Sequence, residues 1–232
     1  MRLDSSATAP KIRSHLLSAL PRDITSRLLA GERTLKLRQG ETLFERGDAG
    51  DGCYWLRHGV LAVCVASATG DQRILALLGP GAIVGELAMI DGLPRSASVQ
   101  AIRDCELTFI SRAAFTEMLR RHPELYVDIT TTLAARLRQS DEDLAASSFL
   151  NVRARVARAL LQFARLLGEE AGPGQILIRH RITQNDLAAM AGVARESVSR
   201  TWREWHRQKI VEGSSRTGYI VHKISLESAA AE

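Results

Sequence analysis

The chain has 232 residues, of which 45% are hydrophobic and 25% are charged, with a formal net charge of +5. This length suits one large domain or two modest domains that can each bury a core. No apolar run approaches the roughly 18 residues of a membrane span and the N-terminus has no apolar signal segment, so we expect a cytoplasmic protein without a membrane partner.

Short β-strands are predicted throughout the stretch from residue 33 to residue 110. Glycine-containing turns such as Thr69-Gly70-Asp71 separate them, and regular short strands of this kind predict a sandwich or barrel. A metal-dependent cupin enzyme also uses such a roll, but it needs two or three histidines with a carboxylate, whereas this stretch holds only His58. We therefore expect neither a metal site nor catalytic residues. The predicted strands are Arg33–Leu37, Cys53–Arg57, Val60–Ala66, Arg73–Leu78, Ser98–Ala101 and Cys105–Ile110.

Residues 85–97 combine the groups that a small ribose phosphate needs. Gly85 lets the backbone approach an anion, Arg95 offers a planar pair of donors, and Ser96 adds a hydroxyl. Glu86 repels phosphate, so its carboxylate is useful only as an acceptor for a neighbouring group such as a ribose hydroxyl. The segment at Gly85 alone is typical of a glycine-rich turn, and Arg95 alone is typical of a surface arginine. Together they favour a nucleotide site.

This stretch closely resembles the phosphate-binding cassette of the cyclic-AMP receptor proteins in the Crp/Fnr family. The resemblance implies that Gly85, Glu86, Leu87 and Ala88 meet the phosphate and ribose, and that Arg95, Ser96 and Ala97 close the phosphate site. It implies cyclic AMP as the ligand; cyclic GMP is possible because the sequence departs from the family pattern at Ser140 and Asp141, where a carboxylate accepts from either base. We expect no metal and no haem. We also expect no iron–sulfur cluster, because the N-terminal cysteine cluster of Fnr-type sensors is missing.

The same resemblance implies an α+β architecture: an eight-stranded β jelly roll of the cyclic-nucleotide-binding type, a long dimerisation helix and a winged helix-turn-helix. The corresponding expected domains are residues 1–122, 123–150 and 151–232.

Two helices are predicted after the strands, the first from the N-cap Ser111 to Arg121 and the second from Pro123 towards Ser148. The second has heptad spacing, which favours a homodimer through this helix, although packing on the chain's own roll gives a similar stripe. In the family a Thr-Ser pair on this helix meets the nucleotide base from both subunits. Here the pair is Ser140-Asp141, which leaves the base preference open. The heptad positions are Tyr126, Thr130, Leu133, Leu137, Ser140, Leu144 and Ser147.

All of the excess positive charge lies after residue 150. This part has 13 basic and 8 acidic residues, whereas the part before it has 18 of each. This asymmetry indicates an anionic partner, nucleic acid first, although a solvated basic face produces it too. A helix is predicted from Asn151 to the helix end at Gly168. Thr183 and Asp186 form a capping pair, and Gly192 supplies a turn, so residues 182–200 predict a helix-turn-helix.

The second helix of this motif carries groups suited to base recognition. Arg195 and Arg200 can each donate twice to guanine, and Glu196 can accept from cytosine in the major groove. The R-E-x-x-x-R spacing matches the family's recognition helix for inverted TGTGA-like half-sites, although a solvated amphipathic helix remains the alternative. The candidate DNA contacts are Thr183, Gln184, Arg195, Glu196, Ser197, Ser199 and Arg200.

The rest of the C-terminal third predicts a packed helix and a wing. Val198, Trp202 and Trp205 are spaced to point inward, whereas Ala194 lacks the hydroxyl of a good N-cap. Residues 213–218 separate two short strands, as in a wing hairpin, and the alanine-rich end after Ser228 is expected to be disordered.

These features predict a dimeric transcription regulator that is controlled by a cyclic nucleotide and binds double-stranded operator DNA. Family resemblance adds RNA polymerase as a partner. The alternatives are a regulator with a degenerate pocket that needs no ligand, a cyclic-GMP-responsive regulator, and a cyclic-nucleotide-binding interaction module that does not bind DNA.

Overall fold

A computed structural model of the chain describes residues 33–68 and 70–231. The first 32 residues of the predicted 1–122 domain, and Thr69 of the predicted turn, lie outside the described residues.

The N-terminal part is an antiparallel β-roll in which four strands follow the order β1-β6-β3-β4, while β2 pairs with β6 and β5 pairs with β3. Alternating apolar residues along these strands bury Leu56, Leu61 and Leu107 completely, which gives the roll its own core. The strands are β1 (Thr34–Leu37), β2 (Thr42–Phe44), β3 (Gly52–Ala66), β4 (Gln72–Leu78), β5 (Ile83–Val84) and β6 (Ser98–Ser111).

Two of the strands are longer than the sequence predicts. The structure merges Cys53–Arg57 with Val60–Ala66 into β3, and Ser98–Ala101 with Cys105–Ile110 into β6. The pairing of β3 with β6 shifts register between Leu56 and Leu61, and Gly59 there has a φ of +96°. The glycine therefore marks a bulge inside a strand rather than a turn between strands. The short strands β2 and β5 were not predicted from the sequence, and the described roll has six strands, whereas the family resemblance implies eight.

Among the described residues, three helices accompany the roll: α1 (Leu87–Asp91), α2 (Arg112–Arg121) and α3 (Leu125–Phe149). The predicted N-cap of α2 is confirmed, because the Ser111 hydroxyl accepts a hydrogen bond from the Ala114 amide at 3.2 Å. Buried Phe115 and Met118 of α2, together with Leu125 and Ile129 of α3, share an apolar cluster with the roll. The first turns of the long helix are therefore anchored to the cassette side of the roll.

The C-terminal part is a helix-turn-helix followed by a hairpin wing, as the sequence predicts. Its four-stranded antiparallel sheet has the order β7-β8-β10-β9. Its elements are α4 (Val152–Leu167), β7 (Gly168–Gly172), β8 (Gln175–Ile178), α5 (Gln184–Ala191), α6 (Arg195–Arg207), β9 (Val211–Ser214), β10 (Gly218–His222) and α7 (Lys223–Ala229).

The expected disorder after Ser228 is wrong for the residues that the structure describes. Helix α7 runs to Ala229, and its Leu226 and Ala229 side chains are buried in the core of the C-terminal part. Burial of these two apolar side chains stabilises this short helix.

One apolar core joins the two parts of the molecule. Val60, Cys64 and Ile74 of the roll belong to the same buried cluster as Leu160 and Leu187 of the C-terminal part. The helix-turn-helix is therefore packed on the roll of its own chain. Among residues 33–68 and 70–231, no helix combines the length and apolar character needed to cross a membrane.

Candidate functional site

The cassette is a tight turn between β5 and α1. Gly85 has a φ of +84°, and a Cβ at this position would lie 2.5 Å from Nη1 of Arg95, so the turn requires glycine. Helix α1 begins at Leu87, and the Glu86 carbonyl accepts from the Met89 and Ile90 amides at 2.9 and 3.1 Å. Ala88 and Ala97 are buried, whereas Leu87 and Ser96 are exposed at the surface.

Arg95 is buried, with 4% of its surface exposed, directly behind this turn. Its Nη1 donates to the Gly85 carbonyl at 2.8 Å and its Nη2 to the Gly52 carbonyl at 2.7 Å, while its guanidinium lies 4.3 Å from the centre of the Phe44 ring. Its Nε is buried, and no group of the described chain accepts a hydrogen bond from it. A buried donor without an acceptor is costly, so the geometry fits an anion beside Arg95.

A second arginine, Arg112, also contacts the 47–52 loop, in which the Gly52 carbonyl accepts from Arg95. Arg112 donates to the Gly50 carbonyl at 3.0 Å and to the Ala88 carbonyl at 2.9 Å, which ties the 47–52 loop to α1. Asp51 of this loop lies 3.6 Å from Arg95 and is 77% exposed. Burial and then Asp51 raise the pKa of Tyr54.

Glu86 is buried and forms an ion pair with Arg136 of the long helix. Arg136 also donates to the Ile83 carbonyl at 3.1 Å. The pair compensates for the burial of the carboxylate and attaches α3 to the cassette. The cassette and the long helix are therefore directly connected by side-chain contacts.

Ser140 and Asp141, the predicted base-contact pair, are both exposed on α3. The Ser140 hydroxyl donates to the Arg136 carbonyl at 3.0 Å, so it lies one turn beyond the arginine that holds Glu86. The neighbouring leucines of the apolar seam, at the predicted heptad positions, are also exposed. Leu137 is 64% exposed and Leu144 is 68% exposed. Such an exposed stripe of large apolar side chains is typical of a surface that meets a partner.

The first helix of the helix-turn-helix begins with the predicted capping box. The Thr183 hydroxyl accepts from the Asp186 amide at 3.0 Å, and the Thr183 amide donates to the Asp186 carboxylate at 2.8 Å. Gln184 follows as the first helical residue and is half-buried. Gly192 ends the helix in the left-handed conformation, with a φ of +63°.

The second helix presents its polar groups outward. Arg195, Glu196 and Arg200 are exposed, and Ser197 and Ser199 are half-buried beside them. The inward residues Val198, Trp202 and Trp205 are buried as predicted, at 0%, 8% and 0% exposed.

Helix α6, the second helix of the motif, contacts the wing and α4 through side chains outside its exposed polar face. Trp202 packs edge-on against Tyr219 of the wing, with the ring centres 5.1 Å apart. Arg153 of α4 donates to Glu204 at 2.5 Å and to Gln208 at 2.8 Å, so the far end of α6 is tied to α4. The exposed face is therefore presented on a rigid element, as base recognition requires.

Sequence reasoning missed Arg136 and Arg112. Both lie outside the cassette and reach it only through the tertiary fold, Arg112 from α2 and Arg136 from α3. The sequence carries no local signal for the Glu86–Arg136 pair, because the two residues lie 50 positions apart.

Comparison with known proteins gives a family match for each part of the chain. Residues 34–122 match the cyclic nucleotide-binding domain, and residues 154–226 match the Crp-like helix-turn-helix domain.

Similar proteins span most of the chain. The cyclic AMP receptor protein of Thermus thermophilus is 36% identical over 83% of this chain and 85% of that protein. The CRP-like cAMP-activated global transcriptional regulator of Mycobacterium tuberculosis is 32% identical over 76% of this chain and 80% of that protein. Among solved structures, the Xanthomonas campestris regulator CLP, described as c-di-GMP responsive, has a TM-score of 0.75 at 20% identity, covering 87% and 99% of the two chains.

Members of this family regulate transcription and are not enzymes, and dimers are typical of them. The cassette, the long helix and the winged helix-turn-helix occur here in one chain, in the order of its relatives. The chain belongs to the Crp/Fnr family of DNA-binding transcription regulators and carries a cyclic nucleotide-binding domain.

Proposed function

We propose that this regulator is controlled by cyclic AMP, and that the ligand binds at the turn formed by Gly85, Glu86 and Arg95. The observation that carries the proposal is the buried Nε of Arg95, which has no acceptor among the described residues. A cyclic phosphate supplies such an acceptor, and Leu87, Ala88, Ser96 and Ala97 surround the same turn. The names of the Thermus thermophilus and Mycobacterium tuberculosis relatives favour cyclic AMP over other nucleotides.

Arg95 and Glu86 both bind other groups in the protein, and this suggests how a ligand is sensed. A phosphate beside Arg95 competes with the Gly85 and Gly52 carbonyls, and a ribose hydroxyl at Glu86 competes with Arg136. Because Arg136 belongs to α3, exchange of these partners favours a different position of the long helix. The nucleotide thus shifts the population towards the arrangement that binds DNA best.

We further propose that α3 pairs with its counterpart in a second copy through the exposed seam. In such a dimer Ser140 and Asp141 of one or both copies reach the nucleotide base. A carboxylate accepts hydrogen bonds from adenine N6 and from guanine N1 and N2 alike. We therefore expect cyclic AMP as the main ligand and cyclic GMP as a close competitor.

The DNA partner is proposed to be a duplex with inverted TGTGA-like arms, set about one helical turn, or 34 Å, apart. Arg195, Glu196 and Arg200 contact base edges, and Thr183, Gln184, Ser197 and Ser199 lie where backbone and flanking contacts form. RNA polymerase remains a partner proposed from family resemblance. We assign the protein to the cytoplasm, where bacterial DNA lies.

Calorimetric titration with cyclic AMP, cyclic GMP and cyclic di-GMP tests the ligand proposal. We expect heat from the two mononucleotides, with cyclic AMP tighter, and a shift of the ratio towards cyclic AMP in Asp141→Ser. An unchanged ratio contradicts the role of Asp141. Absence of heat with all three favours the regulator that needs no ligand.

A further inference from the structure

A group of arginines meets at the turn of the helix-turn-helix, and one of them comes from the roll. Arg73 lies on β4, and its Nη1 lies only 1.3 Å from the point where a Cβ at Gly192 would be. Arg155 of α4 contacts the same turn: its Nε donates to the Ala191 carbonyl at 3.0 Å and its Nη2 to the Gly192 carbonyl at 2.6 Å. We call Arg73 and Arg155 the turn cluster; in the sequence, Arg195 begins α6 three residues after Gly192.

The turn cluster has more positive charge than nearby acidic groups neutralise. Within the described chain, no carboxylate lies at ion-pair distance from Arg73. Asp143 of α3 attracts it, but that carboxylate already lies 3.6 Å from Arg158 and accepts from Gln139 at 3.1 Å. Burial lowers the pKa of Arg73, and the neighbouring Arg155 adds a smaller effect in the same direction.

The position of the cluster indicates what kind of anion it meets. In helix-turn-helix proteins the second helix enters the major groove while the first crosses the phosphate backbone, so the turn between them lies close to a backbone strand. Arg73 is partly exposed at this turn, and it forms no salt bridge with a carboxylate of the described residues. A guanidinium in this position matches a phosphate in charge and in donor geometry.

We propose that Arg73 extends the DNA interface beyond the helix-turn-helix: the roll itself donates to a phosphate of the operator backbone. The inference rests on the proposed binding of operator DNA. Its consequence is that the position of the roll relative to the helix-turn-helix contributes directly to DNA affinity, because one phosphate contact forms only when the two parts are docked as they are here.

Salt dependence isolates such a contact. We would measure the binding constant of the full chain with saturating cyclic AMP, by fluorescence anisotropy across a range of potassium chloride concentrations. One duplex carries inverted TGTGA-like arms and a second carries the same bases scrambled. Arg73→Gln removes the charge, Arg73→Lys keeps it, and Arg57→Gln is the matched control, since the Arg57 guanidinium stacks on Trp55 elsewhere on the roll.

The expected result is a slope of log K against log salt that is shallower by about 1.8 in Arg73→Gln, because the variant dimer loses one phosphate contact in each subunit and each contact contributes about 0.9. The loss of affinity falls equally on both duplexes, because a phosphate carries no base sequence. Arg73→Lys and Arg57→Gln keep the wild-type slope. Unchanged cyclic AMP affinity in Arg73→Gln establishes that the variant is folded.

An unchanged slope in Arg73→Gln overturns the proposal and leaves Arg73 as a clamp that only holds the turn against the roll. A loss confined to the TGTGA-like duplex also overturns it. If the wild-type protein binds both duplexes equally, the proposed operator is wrong, whereas the slope comparison on the scrambled duplex still decides the role of Arg73.

Discussion

At the scale of single residues, Arg95 has two tasks that must be separated. It holds the 47–52 loop through the Gly52 carbonyl and, in our proposal, it binds the phosphate. Arg112 has only the first kind of task, through the Gly50 and Ala88 carbonyls. A comparison of the two arginines therefore distinguishes support of the loop from contact with the ligand.

We expect Arg95→Leu to weaken cyclic AMP binding by about 1.5–3 kcal/mol, because a charged hydrogen-bond donor is lost. Arg112→Leu also loosens the loop, but it keeps the phosphate donor and loses less affinity. Calorimetric titration of both variants, with thermal unfolding as the check on stability, measures the difference. Equal losses of affinity in the two variants refute a direct role for Arg95.

Local chemistry explains why much of the site is predictable from the sequence. Gly85 and Gly192 adopt positive φ angles and Thr183 forms its capping box, because these outcomes depend on near neighbours in the chain. The burial of Trp205 follows from its place in the helical spacing of apolar residues. Arg136 and Arg73 were not predictable. Their partners, Glu86 and the turn at Gly192, are brought to them only by the packing of separate elements.

At the scale of elements, the recognition helix lacks one stabilising contact that the chain uses elsewhere. Ala194 is the N-cap of α6 and offers no side-chain acceptor, whereas Asn151 caps α4 by accepting from the Ala154 amide at 2.9 Å. The first turn of α6, which carries Arg195 and Glu196, is therefore free of a cap that would hold it.

We expect Ala194→Ser to raise the free energy of unfolding by about 1 kcal/mol, and Asn151→Ala to lower it by a similar amount. Urea denaturation measures both changes. An Ala194→Ser protein no more stable than the wild type, alongside a clear loss in Asn151→Ala, means that water or DNA-facing geometry already satisfies the start of α6.

The long helix supplies a second prediction at this scale. Leu137 and Leu144 are exposed in the single chain, and burying one such leucine contributes about 1.5–3 kcal/mol. We expect Leu137→Glu combined with Leu144→Glu to yield a monomer in sedimentation velocity, with Arg138→Ala, outside the seam, as the control that stays dimeric. A double variant that remains a dimer places the interface elsewhere.

In the roll, the sequence pattern does not predict the length of strand β3. Gly59 lies where a turn residue is expected, yet β3 continues through it because β6 bends alongside with matching register shifts. Strand length here depends on pairing between distant segments, and the glycine alone does not reveal it.

At the scale of the whole molecule, His180 lies where the helix-turn-helix meets the roll. Burial, and then Arg103 of β6, lower the pKa of His180, while Asp186 of α5 and a hydrogen bond with the Ile102 carbonyl act in the opposite sense. A folded-state pKa below the unfolded value of 6.5 means that folding favours the neutral ring. The associated stability is present above pH 6.5 and is lost as the pH falls through the folded-state pKa.

We expect the wild-type protein to lose more unfolding free energy than His180→Gln when the pH is lowered from about 7.5 to about 5. Urea denaturation at several pH values gives the two profiles. Parallel profiles mean that His180 does not contribute to the acid sensitivity of the docked arrangement.

The central claim, that a nucleotide at Arg95 controls recognition of DNA by α6, is tested most directly by measuring operator affinity with and without ligand. At fixed salt, anisotropy titrations compare a duplex with inverted TGTGA-like arms and its scrambled counterpart, using wild-type protein and Arg95→Leu. We predict that cyclic AMP tightens binding of the wild type to the TGTGA-like duplex alone, and that Arg95→Leu loses this response while retaining weak binding to both duplexes. Wild-type affinity that is the same with and without cyclic AMP, or the same for both duplexes, contradicts the claim.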